Sequence, residues 1–122
     1  MTEMTVTSFV DGKPLTGGGD RFETINPATG KALASVYDAV AVDVEAAVAA
    51  AQRGFEIWSA MTGTERGRIL HHAAQLLRSR NEELAALEVQ DCGKPLQEAL
   101  VVDVHSGADC IEYFAGAAAT LA

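Results

Sequence analysis

The chain has 122 residues, 48% hydrophobic, 21% charged and only 6% aromatic, with a formal charge of −8. That length fits one ordinary domain and that balance excludes a disordered chain. With Asp and Glu outnumbering Lys and Arg 17 to 9, and no basic cluster on one face, no nucleic-acid partner is expected. Much of the apolar fraction is alanine, so the expected core is one of helices packed closely through small side chains, thin in buried area per residue.

The start, Met1 to Thr7, carries Glu3 and has neither a basic region nor a long apolar run, so it does not read as a signal peptide. No stretch approaches the length needed to span a bilayer. The reading is therefore cytoplasmic, without a membrane partner and with reduced thiols. Cys92 and Cys110 are too far apart for a CxxC pair, and no zinc-type spacing joins them to His71, His72 or His105.

Along the chain, Ser8 to Val10 and Lys13 to Leu15 read as short strands around Asp11-Gly12, a dipeptide that readily takes the positive φ angles of a tight hairpin turn. Thr16 to Asp20, with three consecutive glycines, reads as a mobile surface loop. It lacks the Lys-Ser/Thr ending of a P-loop and the strand-helix context of a dinucleotide fingerprint, so it does not read as a phosphate cradle. Phe22 to Ile25 is expected to be extended, Asn26 to Gly30 a turn, and Lys31 to Tyr37 a second strand.

From Val42 the period changes. Val44, Ala47, Val48, Ala51, Phe55 and Trp58 recur at helical spacing and predict a helix with one buried stripe. Thr62-Gly63-Thr64-Glu65 has the form of a capping box, followed by Ile69, Leu70, Ala73, Ala74 and Leu77 at helical spacing. His71 and His72 are neighbours and project about 100° apart, so they cannot chelate one ion together; both read as surface or boundary residues. Asn81 reads as the N-cap of a third helix with Leu84, Ala85 and Leu87 inward.

That third helix runs into Asp91-Cys92-Gly93-Lys94-Pro95, a joint in which Gly93 can close one helix in the left-handed region and Pro95 can open the next. Asp91 falls in the last turn, where the helix dipole disfavours an anion. It asks for a partner: Lys94, a backbone donor or a cation. A fourth helical pattern follows from Leu96 to Ala118, weakened at Gly107 and Gly116. Ala115 to Ala122 is small and apolar with no C-cap, and reads as a cut rather than a solvated terminus.

Phe22 to Gly30, Ile57-Trp58-Ser59, Glu65 to Leu70, Asn81 to Ala85, Asp91 to Pro95, Gly107-Ala108-Asp109 and Ile111 to Gly116 together strongly resemble the N-terminal region of NAD(P)-dependent aldehyde dehydrogenases, nearest the betaine aldehyde and amino-aldehyde branch. The resemblance covers nearly all of the chain from about Phe22 onward. It implies a thiolate that attacks the aldehyde, hydride transfer to NAD or NADP, and a glutamate that activates water. None of these groups is expected here. In the family they lie beyond the region that this chain matches, so the chain alone is expected to be inactive, and Cys92 and Cys110 read as structural, small buried hydrophobes.

The same resemblance implies a monovalent-cation site in which Thr24, Ile25 and Asp91 supply oxygens to potassium, with an ion pair or a backbone cap as the alternative role of Asp91. It also places His105, Glu112 and Tyr113 on a helix near the substrate entrance, against the simpler reading of a solvated helix face. The fold class expected is an α+β piece of the aldehyde dehydrogenase (Rossmann-type α/β) fold: short antiparallel strands in 1–40, then about four helices in 41–122 that belong to the cofactor-binding domain. Family members are homo-oligomers acting on small aldehydes. Two functions are carried forward: part of such an enzyme, or a non-catalytic remnant or interaction module. An incomplete layer of this kind should expose a large apolar patch and be marginal in isolation.

Overall fold

The structure, a computed structural model, describes Met4–Thr120. The chain divides into two compact units, Met1–Ile57 and Trp58–Ala122. In the first unit, strands β2 (Ser8–Val10) and β3 (Lys13–Leu15) form an antiparallel hairpin. Asp11 and Gly12 form its turn with φ of 53° and 74°, the two positive angles that a two-residue turn requires to match strand twist. A second sheet takes β1 (Met4–Val6), β4 (Arg21–Asn26) and β5 (Lys31–Tyr37) in the order β1-β5-β4. β4 and β5 are antiparallel as the turn at Asn26 to Gly30 dictates, whereas β1 pairs with β5 in parallel. That pairing departs from the all-antiparallel expectation, and a parallel neighbour needs the long connection that the hairpin and glycine loop supply.

Between Thr24 and Ile25 the β4–β5 register shifts, pairing Thr24 with Ala34 and Ile25 with Ala32, so Leu33 is the extra residue of a bulge. Ser35 on β5 is buried, and the Arg21 guanidinium reaches its hydroxyl at 2.9 and 2.6 Å. The glycine loop is anchored rather than free: Gly18 N–H donates to Asp43 Oδ2 (2.8 Å) and Gly19 N–H to the Asp38 carbonyl (2.9 Å). A Cβ at Gly17 would lie 2.2 Å from the Asp38 carbonyl oxygen, so glycine is there for close backbone approach.

Helix α1 (Ala41–Ala60) is tied at its start by Asp43, whose Oδ2 also accepts from Val40 N–H at 2.9 Å. The two backbone donors hold the Asp43 carboxyl below its ordinary pKa. The buried stripe expected along α1 is not there: no residue of α1 is buried, and Phe55 is 68% exposed. The 3.6-residue spacing is real, but periodicity reports which side is apolar, not what covers it.

In the second unit, α2 (Gly63–Ser79) opens with the expected capping box, Thr62 hydroxyl accepting from Glu65 N–H and the Glu65 carboxylate accepting from Thr62 N–H at 2.8 Å. Those hydrogen bonds, chiefly from the Thr62 backbone, lower the Glu65 pKa. α3 (Asn81–Cys92) begins one residue earlier than its expected cap allows: Arg80 holds the N-cap position without a side-chain bond, and Asn81 is helical. Ala85 is buried and Leu84 half-buried, but Leu87 faces outward. Gly93 closes α3 with φ 75°, as read from the sequence. Pro95 stands at the N-cap of the next turn with ψ 132°, one residue before the helical position expected for it.

What reads as one last helix is three pieces: α4 (Leu96–Glu98), a π-helical turn (Ala99–Asp103) and α5 (Val104–Ala117). The helix pair α2–α5 forms the centre of this unit through small residues, with Gly67, Ala74, Ala108 and Ala115 buried. No large side chain among the described residues is fully buried, so the unit is held by close backbone approach and dispersion rather than by bulky apolar packing.

Candidate functional site

The cation reading names three residues on two different units. Thr24 and Ile25 sit on β4, Thr24 half-buried and Ile25 exposed, at the bulge where regular ladder pairing breaks. Such a break leaves backbone groups outside the ladder, which is where carbonyl oxygens become available as ligands. Asp91 lies in the last turn of α3, exposed, and its carboxylate makes no ion pair or hydrogen bond among the described residues. The donor set of carbonyl and carboxylate oxygens is of the hard type that an alkali cation takes. Among the described residues no group of three or more His, Cys, Asp and Glu stands close enough to hold a metal ion, so any cation here depends on backbone oxygens.

Lys94, the nearest expected partner of Asp91, turns the other way. Its ammonium hydrogen-bonds Asp103 at the end of the π turn and lies 3.6 Å from Glu88. The Asp103 hydrogen bond raises the Lys94 pKa. Lys94 therefore ties the joint to the π turn and leaves Asp91 without its cation. A second clasp crosses α3: Asn81 Nδ2 donates to the Leu100 carbonyl at 3.0 Å and lies 3.4 Å from His105 Nε2. A π turn displaces the i−4 hydrogen-bond ladder, and a side-chain donor at Leu100 satisfies a carbonyl there.

The densest polar cluster joins α2 to α5. Arg78 Nη2 donates to Asp109 Oδ1 (2.6 Å) and Glu112 Oε2 (2.7 Å), while His71 Nδ1 lies 3.2 Å from Glu112 Oε1. The two carboxylates, Asp109 first, raise the Arg78 pKa. Arg68, His71, His72 and Glu112 line an open groove of about 510 Å³ whose floor is Gly67 and Ala115. Glu112 is therefore engaged within its own unit, and Tyr113 on the same helix is 72% exposed and stacked edge-on against Phe114.

Both cysteines are exposed. That corrects the expectation of small buried hydrophobes: Cys92 ends α3 and Cys110 falls on the outer side of α5. Among the described residues neither thiol is hydrogen-bonded to an imidazole or carboxylate that would serve as a base. The clasps at Arg78 and Asn81 escaped the sequence reading because their partners are 31 and 19 residues away or more; only the 2-residue spacing of Leu100, Val102 and Val104 signalled that the last helix was irregular.

These strands and helices, with a carboxylate at a glycine-closed joint, are the ground on which known proteins can be compared. A model of the aldehyde dehydrogenase family matches residues 15–122, and the chain belongs to that family. Betaine aldehyde dehydrogenase of Vibrio vulnificus is 52% identical over 115 residues, 93% of this chain and 24% of that protein. Among solved structures, gamma-glutamyl-gamma-aminobutyraldehyde dehydrogenase from Burkholderia cenocepacia superposes with a TM-score of 0.91 at 38% identity, covering 98% of this chain and 25% of that one. An NAD+ complex of an aldehyde dehydrogenase from Bacillus cereus superposes with a TM-score of 0.86 at 41% identity, over 93% and 23% respectively. The chain thus spans about a quarter of the length of the relatives it matches.

Proposed function

We propose that the chain is the amino-terminal part of an oxidoreductase that oxidises an aldehyde, betaine aldehyde or a related amino-aldehyde, to the carboxylic acid with NAD+ or NADP+. The observation that carries this is the 52% identity to a betaine aldehyde dehydrogenase over 93% of the chain. In this reading the nicotinamide cofactor, when bound to the remaining part, accepts the hydride. The residues of this chain do no chemistry on the aldehyde; they form the strand and helix layers 1–40 and 41–122, the latter belonging to the cofactor-binding domain. A chimera with this chain in place of the first quarter of the Vibrio vulnificus enzyme should oxidise betaine aldehyde with NAD+. A soluble, folded chimera that binds NAD+ but oxidises no aldehyde would refute the reading.

The potassium reading follows from the same family membership. Thr24 and Ile25 would contribute oxygens from the bulged end of β4 and Asp91 its carboxylate, which has no partner of its own among the described residues. A cation there would offset an anion at a helix C-terminus. In the chimera, exchanging sodium for potassium should raise Tm, and Asp91→Ala should abolish that difference; an undiminished potassium effect in the variant would remove the site.

A second reading rests on the outward apolar residues of α1, α2 and α5: a non-catalytic module of the same family, inactive alone, that works by association. Cytoplasmic location fits either reading. No helix among the described residues is long and apolar enough to cross a membrane.

A further inference from the structure

The Asn81 amide has one end committed and the other empty. Its Nδ2 donates to the Leu100 carbonyl at 3.0 Å and lies 3.4 Å from His105 Nε2, while its Oδ1 is buried with no partner among the described residues. A carbonyl oxygen only accepts, so Leu100 fixes which end of the amide faces the π turn: the NH2 end. The same NH2 group faces His105, and it can only donate. His105 Nε2 must therefore present a bare lone pair, which puts the ring proton on Nδ1 and requires the neutral imidazole.

Protonation reverses that contact. An imidazolium donates from both nitrogens, so Nε2–H would confront the NH2 group donor to donor. Turning the amide end for end relieves the clash and gives the orphaned Oδ1 a charged donor. It also sets that oxygen against the Leu100 carbonyl, acceptor to acceptor, and the carbonyl has to move off. Asn81 thus has two settings, one that holds the π turn and one that holds His105.

We infer that His105 is a proton-operated latch on the π turn: neutral, it keeps the Asn81 amide on Leu100, and protonated, it draws the amide away and loosens Ala99–Asp103. The charged groups of the surrounding elements are engaged elsewhere or stand apart. From α2, His71 and Arg78 meet Glu112 and Asp109 of α5 itself. The start of α2, with Glu65, Arg66, Arg68 and His72, packs on the far end of α5, where Gly67 meets Ala115. From the π turn, Asp103 holds Lys94, which also faces Glu88 of α3. Arg80 holds Glu83, Glu82 and Glu98 are exposed, and Asp91 stands at the other end of α3. Among the described residues none forms an ion pair with His105, so its proton is answered by Asn81. Lys94, whose pKa Asp103 raises, stays charged throughout the imidazole range, so the second tie to the π turn persists and the stretch loosens without coming apart. The latch draws on no activity of the chain and stands apart from the aldehyde reading.

The test uses the full chain, isotope-labelled. Long-range proton–nitrogen correlations of the imidazole rings should show His105 at about pH 8 with its proton on Nδ1 and Nε2 bare. Amide exchange at Ala99–Asp103, divided by the intrinsic rate at each pH, should show protection about threefold to tenfold lower at about pH 5 than at about pH 8, the worth of one hydrogen bond. His105→Gln supplies a side-chain oxygen that accepts from the same NH2 group and does not titrate, so protection should be equal at both values. Asn81→Ala should give low protection at both. His71→Gln should keep the wild-type dependence, which separates the latch from the His71 and Glu112 pair. A proton on Nε2 of His105 at about pH 8, wild-type protection that is absent or indifferent to pH, or a dependence that survives in His105→Gln would overturn the inference. Loss of the dependence in His71→Gln would overturn it too, by assigning the proton to His71.

Discussion

Adding one carbon to Gly67 tests how the helical unit is held together. Elsewhere in a helix Gly→Ala stabilises by about 1 kcal/mol through propensity. At Gly67 the new Cβ would stand 2.6 Å from the Ala115 carbonyl oxygen and 3.8 Å from the Ala118 Cβ, where ordinary contact begins at 3.4 Å. The obstacle is backbone and cannot rotate away, so α2 and α5 must part by several tenths of an ångström and loosen the alanines between them. Overpacking of this kind costs about 1–3 kcal/mol, and with an unyielding backbone neighbour the upper part of that range applies, exceeding the propensity gain by up to about 2 kcal/mol, a factor of up to about 30 in opening. Gly116→Ala is the matched control, since nothing stands within 4 Å of its Cβ; it should stabilise α5 by about 0.5–1 kcal/mol. Amide hydrogen exchange read by mass spectrometry on α2 and α5 peptides reports local opening without requiring a cooperative global transition. Protection should fall in Gly67→Ala and rise in Gly116→Ala. Equal or greater protection in Gly67→Ala would show that the small-residue contact between α2 and α5 does not hold the unit.

Four further outcomes are expected. Asp43→Asn should remove the pH dependence of exchange at Gly18 and Val40: because the folded-state pKa of Asp43 is lowered, its stabilisation is present above the unfolded value of about 3.9 and is lost as pH falls through the folded value. Thr62→Ala should cost about 1 kcal/mol by removing the N-cap of α2, seen as faster exchange in the first turn of α2 and little change in α3. Asn81→Ala should leave the Leu100 carbonyl without its side-chain donor and cost about 1–3 kcal/mol, with the loss of protection confined to Ala99–Asp103 and its neighbours. Both thiols should react with a maleimide in the folded chain at comparable rates, since Cys92 and Cys110 are exposed; a thiol that reacts only after unfolding would contradict that placement.

The parts legible in the sequence were those that two or three adjacent residues decide. Asp11-Gly12, Gly93 and the Thr62–Glu65 box each specify a backbone state locally, and each is found as read. The α1 stripe failed because the pattern of Val44, Val48 and Phe55 records a side meant for burial, while burial itself needs a covering layer. Asn81 is an equally good cap by composition, yet its amide is spent on Leu100, 19 residues on. The π turn hid in a pattern whose irregularity, Leu100-Val102-Val104, is as easily taken for noise. At the candidate cation site, sequence resemblance named Thr24, Ile25 and Asp91; the structure adds the bulge beneath the first two and the diversion of Lys94 from the third.

The π turn at Ala99–Asp103 also bears on how this chain can change its length. Each turn of that kind accommodates one residue more than an α-helix over the same span, so the segments on either side keep their phase as though the extra residue were absent. Elsewhere in α2, α3 or α5 a single-codon deletion would swing every following side chain by about 100° and scramble the alanine contacts. Here, losing Val101 would convert the turn to regular helix while Ala108 and Ala115 kept facing α2. Val101 is exposed, so nothing packed beneath it would be lost. This five-residue stretch is therefore a point where related chains can differ by one residue without a change of architecture, and gaps between family members in this helix should gather at it.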